Sequence, residues 1–77
     1  MKITLENLTN TVSKSVNIGT DELTEDVSLI NDIGIDSIET VKLCKDLIDE
    51  FGIKIDVLDI KKADSIKNIY ELLKDRS

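Results

Sequence analysis

The 77 residues make one domain, 1–77, near the smallest size at which a core without crosslinks sustains a fold. Ten basic against sixteen acidic residues leave a net charge of -6, which repels nucleic-acid phosphates and anionic membranes and favours basic protein surfaces as partners. A single cysteine and no histidine exclude an internal disulfide, a cysteine-rich metal site and histidine-based catalysis.

Leu5, Leu8, Val12 and Val16 recur at steps of three and four, which predicts a helix over 5–16 with a narrow apolar stripe. Thr9, Asn10, Thr11, Ser13 and Ser15 are mediocre helix formers, so packing must hold what propensity does not. Met1, Ile3 and Leu5 alternate and offer a strand as the other reading. Residues 17–36 keep no period. Their apolar anchors, Ile18, Leu23, Val27, Leu29, Ile30, Ile33 and Ile35, predict an ordered loop lying across the helix ends, with a short helical turn at Thr20-Asp21-Glu22.

The stretch Gly34–Gly52 carries the strongest pattern. Gly34 breaks the preceding segment, Asp36 or Ser37 caps the first turn, Glu39 sits near the positive end, and Gly52 stops the helix. A helical wheel sets Val41, Leu43, Cys44, Leu47, Ile48 and Phe51 on one arc and Lys42, Lys45, Asp46 and Asp49 on the other. Cys44 is then a buried, inert thiol. Ile38 falls among the polar residues, so a large aliphatic side chain is exposed beside the Ser37 hydroxyl.

Beyond Gly52, Ile53, Ile55 and Val57 alternate as a strand would. The last helix is capped by Asp64 or Ser65 and buries Ile66, Ile69, Tyr70 and Leu73, with Leu72 at the edge and Lys74 and Arg76 near the negative end. Only Phe51 and Tyr70 are aromatic, so the core is built from Ile, Leu and Val, and the absence of proline leaves helices uninterrupted. No signal peptide and no apolar run near 20 residues is present, which predicts a soluble cytoplasmic protein without membrane insertion. One tripeptide occurs twice, as Asp36-Ser37-Ile38 and as Asp64-Ser65-Ile66.

A nucleophilic serine needs a suitable general base, and the lysines nearest Ser37, Lys42 and Lys45, lie on a solvated face among carboxylates, a poor setting for one. Asp36 and Glu39 as a hydrolytic carboxylate pair would need a substrate enclosed by a domain too small to enclose it. The sequence thus predicts neither intrinsic catalysis nor a metal site.

At Asp36-Ser37-Ile38, with Glu39-Thr40-Val41 after it and Asp49-Glu50-Phe51-Gly52 near the helix end, the chain resembles the acyl and peptidyl carrier proteins. The resemblance runs from about Ile33 to Leu73. It implies an all-α bundle of three main helices and one short helix, the latter at 57–61 after an extended loop, with a long ordered loop between the first two main helices. It also implies that Ser37 carries 4'-phosphopantetheine, transferred from coenzyme A by a phosphopantetheinyl transferase. The arm's thiol would hold acyl or aminoacyl thioesters between a loading enzyme and synthase or transferase partners. Ile38 would be the apolar anchor of the docking face, with Asp36, Glu39, Lys42, Asp46 and Asp49 around it for partners with basic surfaces, and the carrier would be a monomer.

The chain departs from the family's fatty-acid members at Lys42, Lys45, Leu58, Lys61 and Lys62, which reduce the acidity of the second and third helices, and at Asp56, where a proline is common. These departures favour a dedicated carrier for a polyketide, nonribosomal peptide or D-alanyl transfer pathway over a general fatty-acid carrier. The alternative from a different class is a small acidic interaction domain in which Ser37 is only a helix cap.

Overall fold

In the computed structural model, which describes residues 3–77, the first helix, α1, runs Leu5–Val16 as its apolar spacing predicts. Thr4 is extended and caps it by accepting the Asn7 N–H at 3.0 Å, so the alternation at Ile3 and Leu5 starts no strand; Met1 lies outside the described residues. Leu8 and Val12 are fully buried. Their burial supplies what the stripe of threonine, serine and asparagine does not: at about 25 cal/mol per Å² of apolar surface, each side chain contributes about 1.5–3 kcal/mol.

The loop after α1 is ordered and carries two brief turns. A 3-10 turn spans Thr20–Glu22, where a helical turn was expected, and an unforeseen π-helical turn spans Leu29–Ile33. Leu23, Leu29 and Ile35 reach the core, Ile18, Ile30 and Ile33 pack on it half-buried, and Val27 is half-buried outside it. Gly34, at φ 80, ends the π turn in a conformation that a Cβ would strain.

Three further helices follow: α2 over Ser37–Phe51, α3 over Val57–Ala63 and α4 over Ile66–Arg76. Helix α1 packs against α2 and α4, and α3 packs against α2 and α4. No strand occurs among the described residues. Ile53 and Ile55 are buried along the extended link, and the chain turns helical at Val57 because Asp56 and Asp59 form a reciprocal capping box. None of the described helices is long and apolar enough to cross a membrane.

Two residues of α2 depart from the expected buried arc. Val41 is 57% and Ile48 39% exposed, while Thr40 is buried with Leu43, Cys44, Leu47 and Phe51. Thr40 can turn inward because its hydroxyl donates to the Asp36 carbonyl at 2.8 Å. Its inward turn rotates the buried arc away from Val41 and Ile48, which lie roughly 100–120° around the helix from Leu47.

Helix α4 closes the bundle through a bidentate pair from Arg76 to Asp59, at 2.7 and 3.1 Å, and a third bond from Arg76 to the Lys54 carbonyl. The Arg76 hydrogen bonds, aided by the Asp59 carboxylate's place in the α3 capping box, lower the Asp59 pKa from the ordinary 3.8 to about 2. A depressed carboxylate pKa contributes stability that is complete above the ordinary value and fades as pH falls through the folded one. Asp59→Asn is therefore expected to lower the urea midpoint at pH 7 and to flatten the fall in stability between about pH 4 and pH 2 relative to wild type. An unchanged difference between the two proteins across that window would contradict the assignment.

Candidate functional site

The two copies of the Asp-Ser-Ile tripeptide enter their helices one residue out of register. In the first copy Asp36 is the cap. Its carboxylate accepts the Glu39 N–H at 2.8 Å while Glu39 accepts the Asp36 N–H at 3.1 Å, so the capping box is complete without the serine. In the second copy Ser65 is the cap, accepting the Asn68 N–H at 3.2 Å, and Asp64 has become the last residue of the previous turn, at φ 64.

The shift gives the two serines and isoleucines opposite surroundings. Ser65 is buried and Ile66 is fully enclosed. Ser37 is exposed in the first turn of α2, and Ile38 beside it is 79% exposed, as the wheel predicts. The Ser37 hydroxyl has no hydrogen-bond partner among the described residues, and neither the Ser37 nor the Ile38 N–H has a backbone acceptor there. An uncommitted hydroxyl thus stands beside two uncommitted amides at the positive end of a 15-residue helix. A phosphodiester on that hydroxyl would meet donors already pointing outward, so these residues fit such a group.

The segment that delivers Ser37 is tied to the far side of the molecule. The Asp64 carboxylate accepts the Ser28 hydroxyl and, at 2.9 Å, the Ile30 N–H, and the Asp64 carbonyl accepts the Leu29 N–H at 2.7 Å. Ser28 in turn caps the π turn by accepting the Asn31 N–H at 2.9 Å. This three-bond latch, 34 to 36 residues away in sequence, fixes the turn that ends at Gly34. Sequence reasoning missed it. The legible signal was that an aspartate preceding a capping serine must point its own carboxylate elsewhere.

Of the other residues expected at the site, Lys42, Asp46 and Asp49 turn away from Ile38 to line a polar groove between α1 and α2 with Asn7 and Thr11. Lys42 donates to Asp46 at 3.0 Å and to the Ser15 carbonyl at 3.1 Å. The buried Ser15 hydroxyl has no partner in hydrogen-bond geometry, yet it lies close enough to Asp46 to lower that carboxylate's pKa, with Lys42 acting in the same sense. Burial, then the carboxylates of Asp56 and Asp59, push the Cys44 thiol up, in keeping with an inert core cysteine.

What remains on the open face of α2 is Ile38, Val41 and Ile48, with Lys45 among them. The family described as phosphopantetheine attachment site matches residues 6–73 of the chain. The chain is similar to an acyl carrier protein of Thermotoga maritima, 34% identical over 58 residues that cover 75% of this chain and 72% of the relative. It is also similar to those of Lactobacillus johnsonii, 35% identical over 82% of this chain and 79% of the relative, and Syntrophus aciditrophicus, 28% identical over 94% and 90%.

Proposed function

The chain belongs to the acyl carrier protein family, whose members carry covalent 4'-phosphopantetheine, and from that premise we propose that Ser37 is the residue bearing the arm. The observation that carries this reading is the contrast between the repeated tripeptides: one serine is spent as a buried cap, the other is exposed with its hydroxyl uncommitted. When bound, the group supplies a terminal thiol that holds an acyl or aminoacyl cargo as a thioester. The chain's own part is delivery. The capping box keeps α2 intact up to the attachment point, the Ser37 and Ile38 amides receive the phosphate, and tethering raises the cargo's local concentration at each enzyme visited.

As a single non-catalytic carrier domain, it would be served by a phosphopantetheinyl transferase, a loading enzyme and synthase or transferase partners. The net charge of -6 favours the approach of basic partner surfaces over distances beyond contact. Ile38, Val41 and Ile48 on α2 and Leu58 on α3, which is 58% exposed, supply apolar contact area. Lys45, Lys61 and Lys62 around them support a dedicated polyketide, nonribosomal peptide or D-alanyl carrier over a general fatty-acid one. Use of the loaded protein by a housekeeping fatty-acid ketosynthase and malonyl transferase as readily as their own carrier would overturn that preference.

The attachment itself is tested by incubating the protein with coenzyme A and a broad-specificity phosphopantetheinyl transferase, followed by intact mass and peptide mapping. The expected result is one phosphopantetheinyl group, on Ser37. A folded protein that gains nothing with several transferases, or gains the group elsewhere, contradicts the proposal.

A further inference from the structure

A protein of net charge -6 would be expected to surround its exposed apolar residues with carboxylates. Lysines stand beside several of them as well. On α2, Lys45 lies one turn from both Val41 and Ile48, and Ile38 lies two turns before it, so an ammonium group stands beside exposed aliphatic side chains. On α3, which packs against α2, the exposed Leu58 lies three and four residues from Lys61 and Lys62. None of these three lysines forms an ion pair or side-chain hydrogen bond among the described residues. The two ion pairs there are Lys42 with Asp46 and Arg76 with Asp59.

Three of the nearby carboxylates are engaged within the chain. Asp36 and Glu39 hold each other's backbone amides, Asp46 is paired, and Asp46 and Asp49 line the groove toward α1. Contact with a basic surface at Ile38, Val41, Ile48 and Leu58 would desolvate three like charges against it. A second copy of this chain would bring the same lysines against one another.

We propose that this face docks a partner enzyme through an apolar and acidic element, a helix or loop whose aliphatic side chains meet Ile38, Val41 and Ile48 and whose carboxylates meet Lys45 and the lysines of α3. The proposal rests on reading the chain as a carrier that visits enzymes, and it specifies their contact chemistry. Lysines at the centre of the contact act on partner choice by rejecting cationic surfaces as much as by attracting acidic ones.

Two synthetic amphipathic helical peptides test it, identical in their leucine stripe and flanked by glutamate in one and lysine in the other. Each is titrated into the full 15N-labelled chain at 0.15 M salt, roughly the ionic strength at which exposed charges beyond about 8 Å are screened. The glutamate peptide is expected to bind at least about tenfold tighter, equivalent to about 1.4 kcal/mol, with amide shifts centred on Ile38, Val41, Lys45, Ile48 and Leu58. Lys45→Glu with Lys61→Glu should reverse the preference, and two matched changes remote from the face, Lys67→Glu with Lys74→Glu, should leave its direction unchanged.

Tighter binding of the lysine peptide, shifts centred outside this face, or no saturable shift with either peptide would overturn the proposal. So would engagement of the face by anionic phosphatidylglycerol vesicles in preference to the glutamate peptide. Loading of Ser37, read by mass on the same samples, reports the carrier reading separately, so either can fail alone.

Discussion

Ser37→Ala is expected to abolish phosphopantetheinyl loading and leave stability within about 0.5 kcal/mol of wild type, whereas Ser65→Ala should retain loading and lose about 1 kcal/mol. The two substitutions remove the same atom from the same tripeptide. They differ because Asp36, not Ser37, holds the first turn of α2, while in α4 the serine itself receives the Asn68 N–H. Alanine at 37 keeps a good helix former in the first turn and deprives no amide of its partner. Alanine at 65 leaves a donor of α4 without its cap in a half-buried setting. Peptide mapping after transferase treatment and urea midpoints on both variants decide the matter. Loading that survives Ser37→Ala would exclude Ser37 as the attachment point, and a Ser37→Ala protein destabilised by more than Ser65→Ala would contradict the capping assignment.

The second large effect is expected at Asp64. Asp64→Ala removes the acceptor of the Ser28 hydroxyl and the Ile30 N–H and forces an alanine into φ 64. Two bonds at about 0.5–1 kcal/mol each, with about 1 kcal/mol for the left-handed backbone, place the loss at about 2–3 kcal/mol. For a chain of this size the whole stability is roughly 4–12 kcal/mol. Asp64→Gly separates the two causes, since glycine accepts the backbone conformation and loses only the bonds, for about 1–2 kcal/mol. Hydrogen exchange supplies the residue-level reading: the Ile30 amide should exchange faster in both variants, while the Leu29 amide, held by the Asp64 carbonyl, should change less. Losses below about 0.5 kcal/mol in both variants would mean that the latch does not hold the π turn.

Much of this architecture was legible because strong local signals agreed with the global fold. The apolar spacing from Leu5 to Val16, the Gly34 and Gly52 boundaries of α2, and the outward Ile38 were each set by residues within a turn or two of one another. The α3 segment was ambiguous on its own, since Ile53, Ile55 and Val57 alternate as in a strand, and only the family likeness directed it to a loop and helix. Val41 and Ile48 were misplaced because a wheel treats Thr40 as polar. Its hydroxyl is satisfied by its own helix, which lets it enter the core. The latch at Asp64 and the internal engagement of Lys42, Asp36 and Glu39 depend on which carboxylate reaches which donor in three dimensions. Of the residues expected around Ser37, periodicity could therefore name the set but not divide it between the α1 groove and the open face.

On the proposed assignment of Ser37, the division of labour at the head of α2, where Asp36 and not the serine caps the helix, is expected to make folding and loading separable traits. On that proposal, a chain that loses Ser37 is expected to act as a decoy, intact in shape and empty of cargo. Added to a loading reaction, the Ser37→Ala protein is expected to compete with the functional carrier for its enzymes, with an inhibition constant close to the carrier's own binding constant. Loss of this one side chain would thus give more than a missing carrier, since the product is expected to occupy enzymes that functional copies need.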